Sequence, residues 1–235
     1  MLRDRLNAVE ERIARAVARA GRQRSDVTLI AVTKKFPASV TVDAYELGLR
    51  HFGENYVQEF EAKHAALAHL SGAAFHLIGH LQSNKTRVAA ALFQSIQTVD
   101  SEKLARRLQE SLDAARPPSH VVVDVRIDVM IEVKLSTEES KAGAAPDAVP
   151  ALVEAIGALP RLRLQGLMTM PPWSDDPEET RPYFRKLAAL ARAVNLPALS
   201  MGMSHDFEAA IEEGATHIRV GTALFGARPK PEAAS

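Results

Sequence analysis

Cysteine occurs nowhere in the 235 residues, which excludes a disulfide framework and any thiolate chemistry. Net charge is also lacking, because Lys plus Arg, at 29, equal Asp plus Glu, at 29. No global basic field therefore draws the chain to nucleic acid or anionic lipid. No apolar run is long enough to cross a bilayer, and no low-complexity linker splits the chain. Only PKPEAAS, at 229–235, reads as a loose tail, which leaves 1–228 as one domain. The Arg-rich, amphipathic amino terminus raises a transit peptide, but Asp4, Glu10 and Glu11 argue against one. Leu2, Leu6, Val9, Ile13 and Val17 instead fall on one helical face, with Gly21 a natural stop. The expectation is a cytoplasmic monomer with an extra N-terminal helix docked on its core.

What the sequence does hold is organised around Val27 to Pro37, VTLIAVTKKFP. Its unbroken apolar, β-branched start suits a strand buried on both faces, as in a parallel sheet covered by helices. Pro37 stops simple continuation, so Lys34 stands at the carboxyl end of a core strand. An ammonium is costly to desolvate there unless its pKa falls or it bonds covalently to a carbonyl. Taken alone, the segment reads more simply as a lysine ending a strand in solvent.

Further strands read at Arg50 to Phe52, Ala74 to Ile78, Ser95 to Val99 and within Val121 to Leu135. Leu162 to Met168, Leu196 to Ser200 and His217 to Val220 complete eight. Helical patterns lie between them, over Ala38 to Leu47, Tyr56 to Leu70, Asn84 to Leu92, a segment carrying Leu104, Leu108 and Leu112, Pro146 to Leu159, and His205 to Glu213. Asp176-Pro177-Glu178-Glu179 gives an N-cap, a proline at N1 and an acidic N3, which opens another helix. This alternation fits a single (β/α)8 TIM barrel better than two domains or a doubly wound sheet. Ala44-x-Glu46-x-Gly48-x-x-His51 also recurs as Ala210-x-Glu212-x-Gly214-x-x-His217, a helix end, a glycine cap and a strand each time.

Barrel enzymes gather reactive groups at the carboxyl ends of strands and hold phosphate in the loops after strands seven and eight. Here those loops are Ser200-Met201-Gly202-Met203-Ser204 and Arg219-Val220-Gly221-Thr222. Ser204 reads as the N-cap of the next helix, with Gly202 allowing an anion close to exposed amides. Either turn alone is an ordinary capped βα turn. The pair, set across a rim from Lys34, points to a phosphate, and so to a phosphosugar carbonyl or to pyridoxal 5′-phosphate.

AVTKKFP, FGENYVQE, FHLIGHLQSNK, GLMTMPP, LSMGMSHDFEAAIEEGA and IRVGTALFGAR, in this order from Val27 to Arg228, resemble the pyridoxal phosphate homeostasis protein family. That family is related to the barrel domain of bacterial alanine racemase. The resemblance implies a cofactor, pyridoxal 5′-phosphate (PLP), carried as a Schiff base on Lys34, with Lys35 a rival amine. It implies phosphate contacts from Ser204, Gly221 and Thr222, around a loop that also holds Ser200 and Gly202. Arg219 would face the pyridine nitrogen, and Asn55, His76 and Met168 would border the ring. For His76 a hydrogen-bonded core histidine fits equally. Met168, Met170, Met201 and Met203 suit packing better than chemistry. Lys141 matches a recurrent family lysine, though a surface charge is its plainer reading. Trp173 is expected to cover part of the mouth.

Three functions follow. The first is a carrier that limits free PLP, serves vitamin B6 and amino-acid homeostasis, and passes the cofactor to PLP-dependent apoenzymes, with no metal and no catalytic residue of its own. The second is a PLP-dependent amino acid racemase or other weak PLP enzyme. Racemisation needs a second base, and Tyr45, Tyr56 and Tyr183 all fall in or beside outer helices. The chain also ends within about a helix of strand eight, which is expected to leave no room for the second domain of alanine racemase. The third is a Schiff-base aldolase, expected to be colourless.

Overall fold

A computed structural model describes residues 1–114, 126–136 and 142–227. The Pro117-Pro118 break, Lys141 and the 229–235 tail lie outside them. Eight parallel strands close into a barrel in chain order: β1 (Thr28–Val32), β2 (His51–Glu54), β3 (Ala74–Leu77), β4 (Ser95–Val99), β5 (Ile127–Glu132), β6 (Leu162–Met168), β7 (Ala198–Met203) and β8 (His217–Val220). Closure is made by β1 against β8, with Ile30 opposite Arg219.

The first helix, α1 (Leu2–Arg19), buries Leu6, Val9, Ile13, Ala16 and Val17. It ends where Gly21 turns left-handed at φ 64° and Arg22 N–H reaches back to Val17 O at 2.8 Å. Around the barrel run α2 (Ala38–Glu46), α3 (Val57–Leu67), α4 (Thr86–Leu92), α5 (Glu102–Ala114), α6 (Val149–Gly157), α7 (Arg181–Ala193) and α8 (Phe207–Glu212). A one-turn α9 (Thr222–Phe225), which the sequence reading did not mark, follows β8. α1 packs over α8 and α9, where Arg12 pairs with Glu208 at 2.8 Å and Arg22 donates to Ile211 O and Ala215 O. Asp176 accepts from Glu178 N at 2.9 Å, and Pro177 opens the turn leading to α7.

The repeated glycine signature has a shared geometry. Gly48 (φ 96°) and Gly214 (φ 103°) end α2 and α8, with Leu49 N–H bonded to Ala44 O and Ala215 N–H to Ala210 O. Each is a Schellman turn delivering the chain into a strand. The seventh strand runs three residues beyond its expected end at Ser200. Pairing with β8 shifts between Ser200 and Met203, and Gly202, at φ 89°, lies within the shift. A Cβ on Gly202 would meet Ala210 Cβ at 2.5 Å, so this glycine admits α8 rather than an anion. Outward residues such as Phe52, Phe75 and Leu77 pack with the helices in one large apolar core. The barrel interior is more polar, and that difference prepares the site.

Candidate functional site

Lys34 lies two residues beyond β1, in a turn held from outside the barrel. Lys63, on α3, donates to Thr33 O at 3.1 Å and Phe36 O at 3.3 Å. Its ammonium also meets Glu54 at 2.7 Å and Glu59 at 3.3 Å. Thr33 Oγ1 donates to Glu54 at 2.6 Å, and the backbone N–H of Lys35 donates to Glu59. This clamp fixes Lys35 in the left-handed region, at φ 64°. The Lys35 side chain is exposed, whereas Lys34 lines a cavity at the carboxyl ends of the strands. Burial raises the Glu54 carboxyl pKa, and the Lys63 and Thr33 contacts only partly offset it.

The cavity measures about 330 Å³ and is walled by Val32, Ile78 and Met170, near the lower end of the roughly 300–1,000 Å³ usual for small ligands. Lys34, Asn55, Ser204, Arg219, Gly221 and Thr222 all line it. Ser204 is not the N-cap of α8, a position that Asp206 takes. Its Oγ instead accepts from Gly221 N–H at 3.1 Å and Ala223 N–H at 3.2 Å, tying the two loops together. Its own hydroxyl proton is thereby left to donate. Asn55 Oδ1 is buried with no partner among the described residues, as expected of a group that awaits a ligand's donor.

His76, Met168, Ser200 and Gly202 do not line the cavity. Met168 packs beneath it with Met130 and Ala198. His76 and Ser200 belong to a hydrogen-bonded chain through the barrel. Arg219 donates to Thr169 O at 2.8 Å and to Ser200 Oγ at 2.6 Å, and Ser200 donates to Gln97 Oε1 at 2.6 Å. Gln97 Nε2 meets His76 Nδ1 at 3.3 Å, and His76 Nε2 meets His51 Nδ1 at 3.0 Å. With Gln97 donating, His76 must carry its proton on Nε2, so every donor points away from the cation at the start. Burial and the neighbouring His51 and His217 push the His76 pKa down to about 3, which keeps it neutral. Burial lowers Arg219 only to about 10, so the guanidinium stays charged beside the cavity.

Sequence reasoning missed Lys63, Glu54, Gln97 and Thr169. The available signals were Glu59 and Lys63 four residues apart on a helix, and charged residues interrupting strand patterns. Trp173 and His205 meet as a tilted ring pair, centroids 4.9 Å apart, on the cavity rim, where His205 Nε2 donates to Asp175 O at 2.9 Å.

Fold and site together define a class: a parallel barrel with a strand-end lysine that shares one cavity with the turns after β7 and β8. The model of the family "Alanine racemase, N-terminal domain" matches residues 5–229. Alanine racemase of Clostridium difficile 630 superposes at TM-score 0.69 and 15% identity over 98% of this chain and 60% of its own, a likeness of fold alone. The chain belongs to the pyridoxal phosphate homeostasis protein family. A protein of that name from Pseudomonas aeruginosa is 47% identical over 222 residues, 94% of this chain and 93% of its own. PipY of Synechococcus elongatus PCC7942, solved with PLP bound, superposes at TM-score 0.82 and 36% identity over 96% of this chain and 100% of its own.

Proposed function

We propose that this chain binds pyridoxal 5′-phosphate as a Schiff base on Lys34 and works as a cytoplasmic carrier. In that role it serves vitamin B6 and amino-acid homeostasis and passes PLP to PLP-dependent apoenzymes, acting as a monomer. The observation that carries the reading is the convergence of Lys34, Ser204, Gly221, Thr222 and Arg219 on one cavity. Bound there, PLP would supply a reactive aldehyde to the Lys34 amine. Ser204 would donate its hydroxyl proton to the phosphate, and Thr222, at the first turn of α9, would offer an amide with no intrahelical acceptor. Asn55 would accept from the ligand's edge. His76, Met168, Ser200 and Gly202 act one layer out, with Ser200 holding Arg219 in place and Gly202 seating the loop against α8.

A carrier is favoured over a racemase by the lining of the Lys34 cavity, to which none of Tyr45, Tyr56 and Tyr183 contributes a second base. Arg219, a cation that stays charged opposite the pyridine nitrogen, disfavours protonation of that nitrogen and weakens the ring as an electron sink, which argues against aminotransferase chemistry. The test is the absorption spectrum of protein loaded with PLP and desalted, followed by borohydride reduction and peptide mapping. A visible band, abolished in Lys34→Ala and retained in Lys35→Ala, with the label on Lys34, is expected. An unchanged band in Lys34→Ala would overturn the assignment. Chiral analysis after long incubation with L-alanine should show no D-alanine beyond one equivalent per protein; sustained turnover would favour the racemase.

A further inference from the structure

Next to the Lys34 cavity lies a second one, of about 470 Å³, and Met170, Trp173 and Met203 line both. Its walls are apolar at Leu135 and Pro171, but Glu132 also lines it, only 3% exposed. Glu132 Oε2 has no hydrogen-bond partner among the described residues, and neither does Ser136 Oγ in the same lining. A buried carboxyl oxygen left unpaired costs free energy unless a donor reaches it. Among the described residues, the charged groups around it are Arg219 and Asp100, with His80 and Lys134 in the lining. His80 is turned toward Asp100, 3.9 Å away, and Lys134 has an interaction of its own. Burial, reinforced by Asp100 and opposed by Arg219, raises the Glu132 carboxyl to about 7.

We propose that this side cavity binds the ammonium group of a small primary amine or amino acid on Glu132, as a waiting site for the amine that approaches Lys34. An acceptor oxygen without a donor selects a donor ligand, and a carboxylate selects a cation. Met170, Met203 and the Trp173 ring suit the ligand's carbon chain, with cation–π attraction adding to the pull. The shared wall places this site beside Lys34, whose imine, on the carrier reading, an incoming amine would discharge. The inference rests on the carrier reading.

Two measurements separate them. In cofactor-free protein, the ¹³C carboxyl resonance missing from Glu132→Gln should shift saturably with n-propylammonium chloride and not with n-propanol. No saturable shift, or an equal response to both, would overturn the site. In PLP-loaded protein, the concentrations of n-propylamine and of uncharged methoxyamine that discharge the band are compared. Glu132→Gln should need about tenfold more n-propylamine, as loss of one charge-assisted hydrogen bond implies, with methoxyamine unaltered. Equal changes for both reagents, or none, would overturn the proposal. Should wild-type protein take up no PLP, the carrier reading fails, and the cofactor-free titration still decides the site.

Discussion

A carboxyl enclosed like Glu132 stores a penalty that pH can reveal. Its folded pKa, about 7, lies above the ordinary value of 4.5, so its stabilising contribution is complete below pH 4.5 and is lost as pH rises through about 7. Glu132→Gln removes that dependence. In ligand-free protein at pH 8 the variant should melt higher than wild type, by about 5 °C for a gain of roughly 2 kcal/mol, and the gap should close near pH 4.5. Thermal unfolding across that range checks it, and a gap that widens toward acid would refute it. At this scale the sequence placed Lys34 at the end of a buried strand, but only its company with the two glycine turns singled it out, because the segment alone reads as a lysine ending a strand in solvent. It did not disclose Glu132, which sits in a long β-branched stretch whose facing cannot be read from one chain. Lys35 shows the same limit: one residue from Lys34 and chemically identical, it faces solvent because the backbone turns left-handed there.

Between elements, the turn after β1 depends on α3. Glu54 is fully buried, and Lys63 is its only cationic contact among the described residues. Lys63→Met should cost about 3–5 kcal/mol, the usual result of leaving a buried charge without its partner. Glu54→Gln combined with Lys63→Met should cost clearly less than the two single changes summed. Urea midpoints of the four proteins measure this, and strict additivity would show that the pair is not coupled. The clamp was illegible because Glu54 and Lys63 belong to a strand and a helix brought together only by the fold. The β7 loop shows the converse. Its serine and glycines were legible as a turn, yet Ser204 was drawn to the amides of Gly221 and Ala223, and the N-cap position fell to Asp206, whose carboxylate accepts from Met203 N–H rather than from the helix.

The whole barrel sets the tolerance of each glycine. A Cβ on Gly166 would lie 1.9 Å from Ala198 O on the neighbouring strand, a clash that neither backbone can avoid while β6 and β7 remain paired. Gly166→Ala should therefore destabilise by at least about 2 kcal/mol. Gly157, at the end of α6, has nothing within 4 Å of its Cβ position, and Gly157→Ala should gain about 0.5–1 kcal/mol. Calorimetry of both variants tests whether barrel closure or local propensity governs. Opposite signs are expected, and a stabilised Gly166→Ala would count against the β6–β7 packing described here.

The sequence by itself determined the order of the elements, the parallel barrel and the two turns that face Lys34. Apolar runs, helical spacing and glycine caps are local properties, written in neighbouring residues. Tertiary structure alone decided which side chains reach the cavity. His76, Ser200 and Met168 fell one layer below it, while Glu132 came to line the cavity beside it. Alternation along a strand gives two faces, but their depth is set by pairing across the barrel, and that register shifts in β4, β5 and β7.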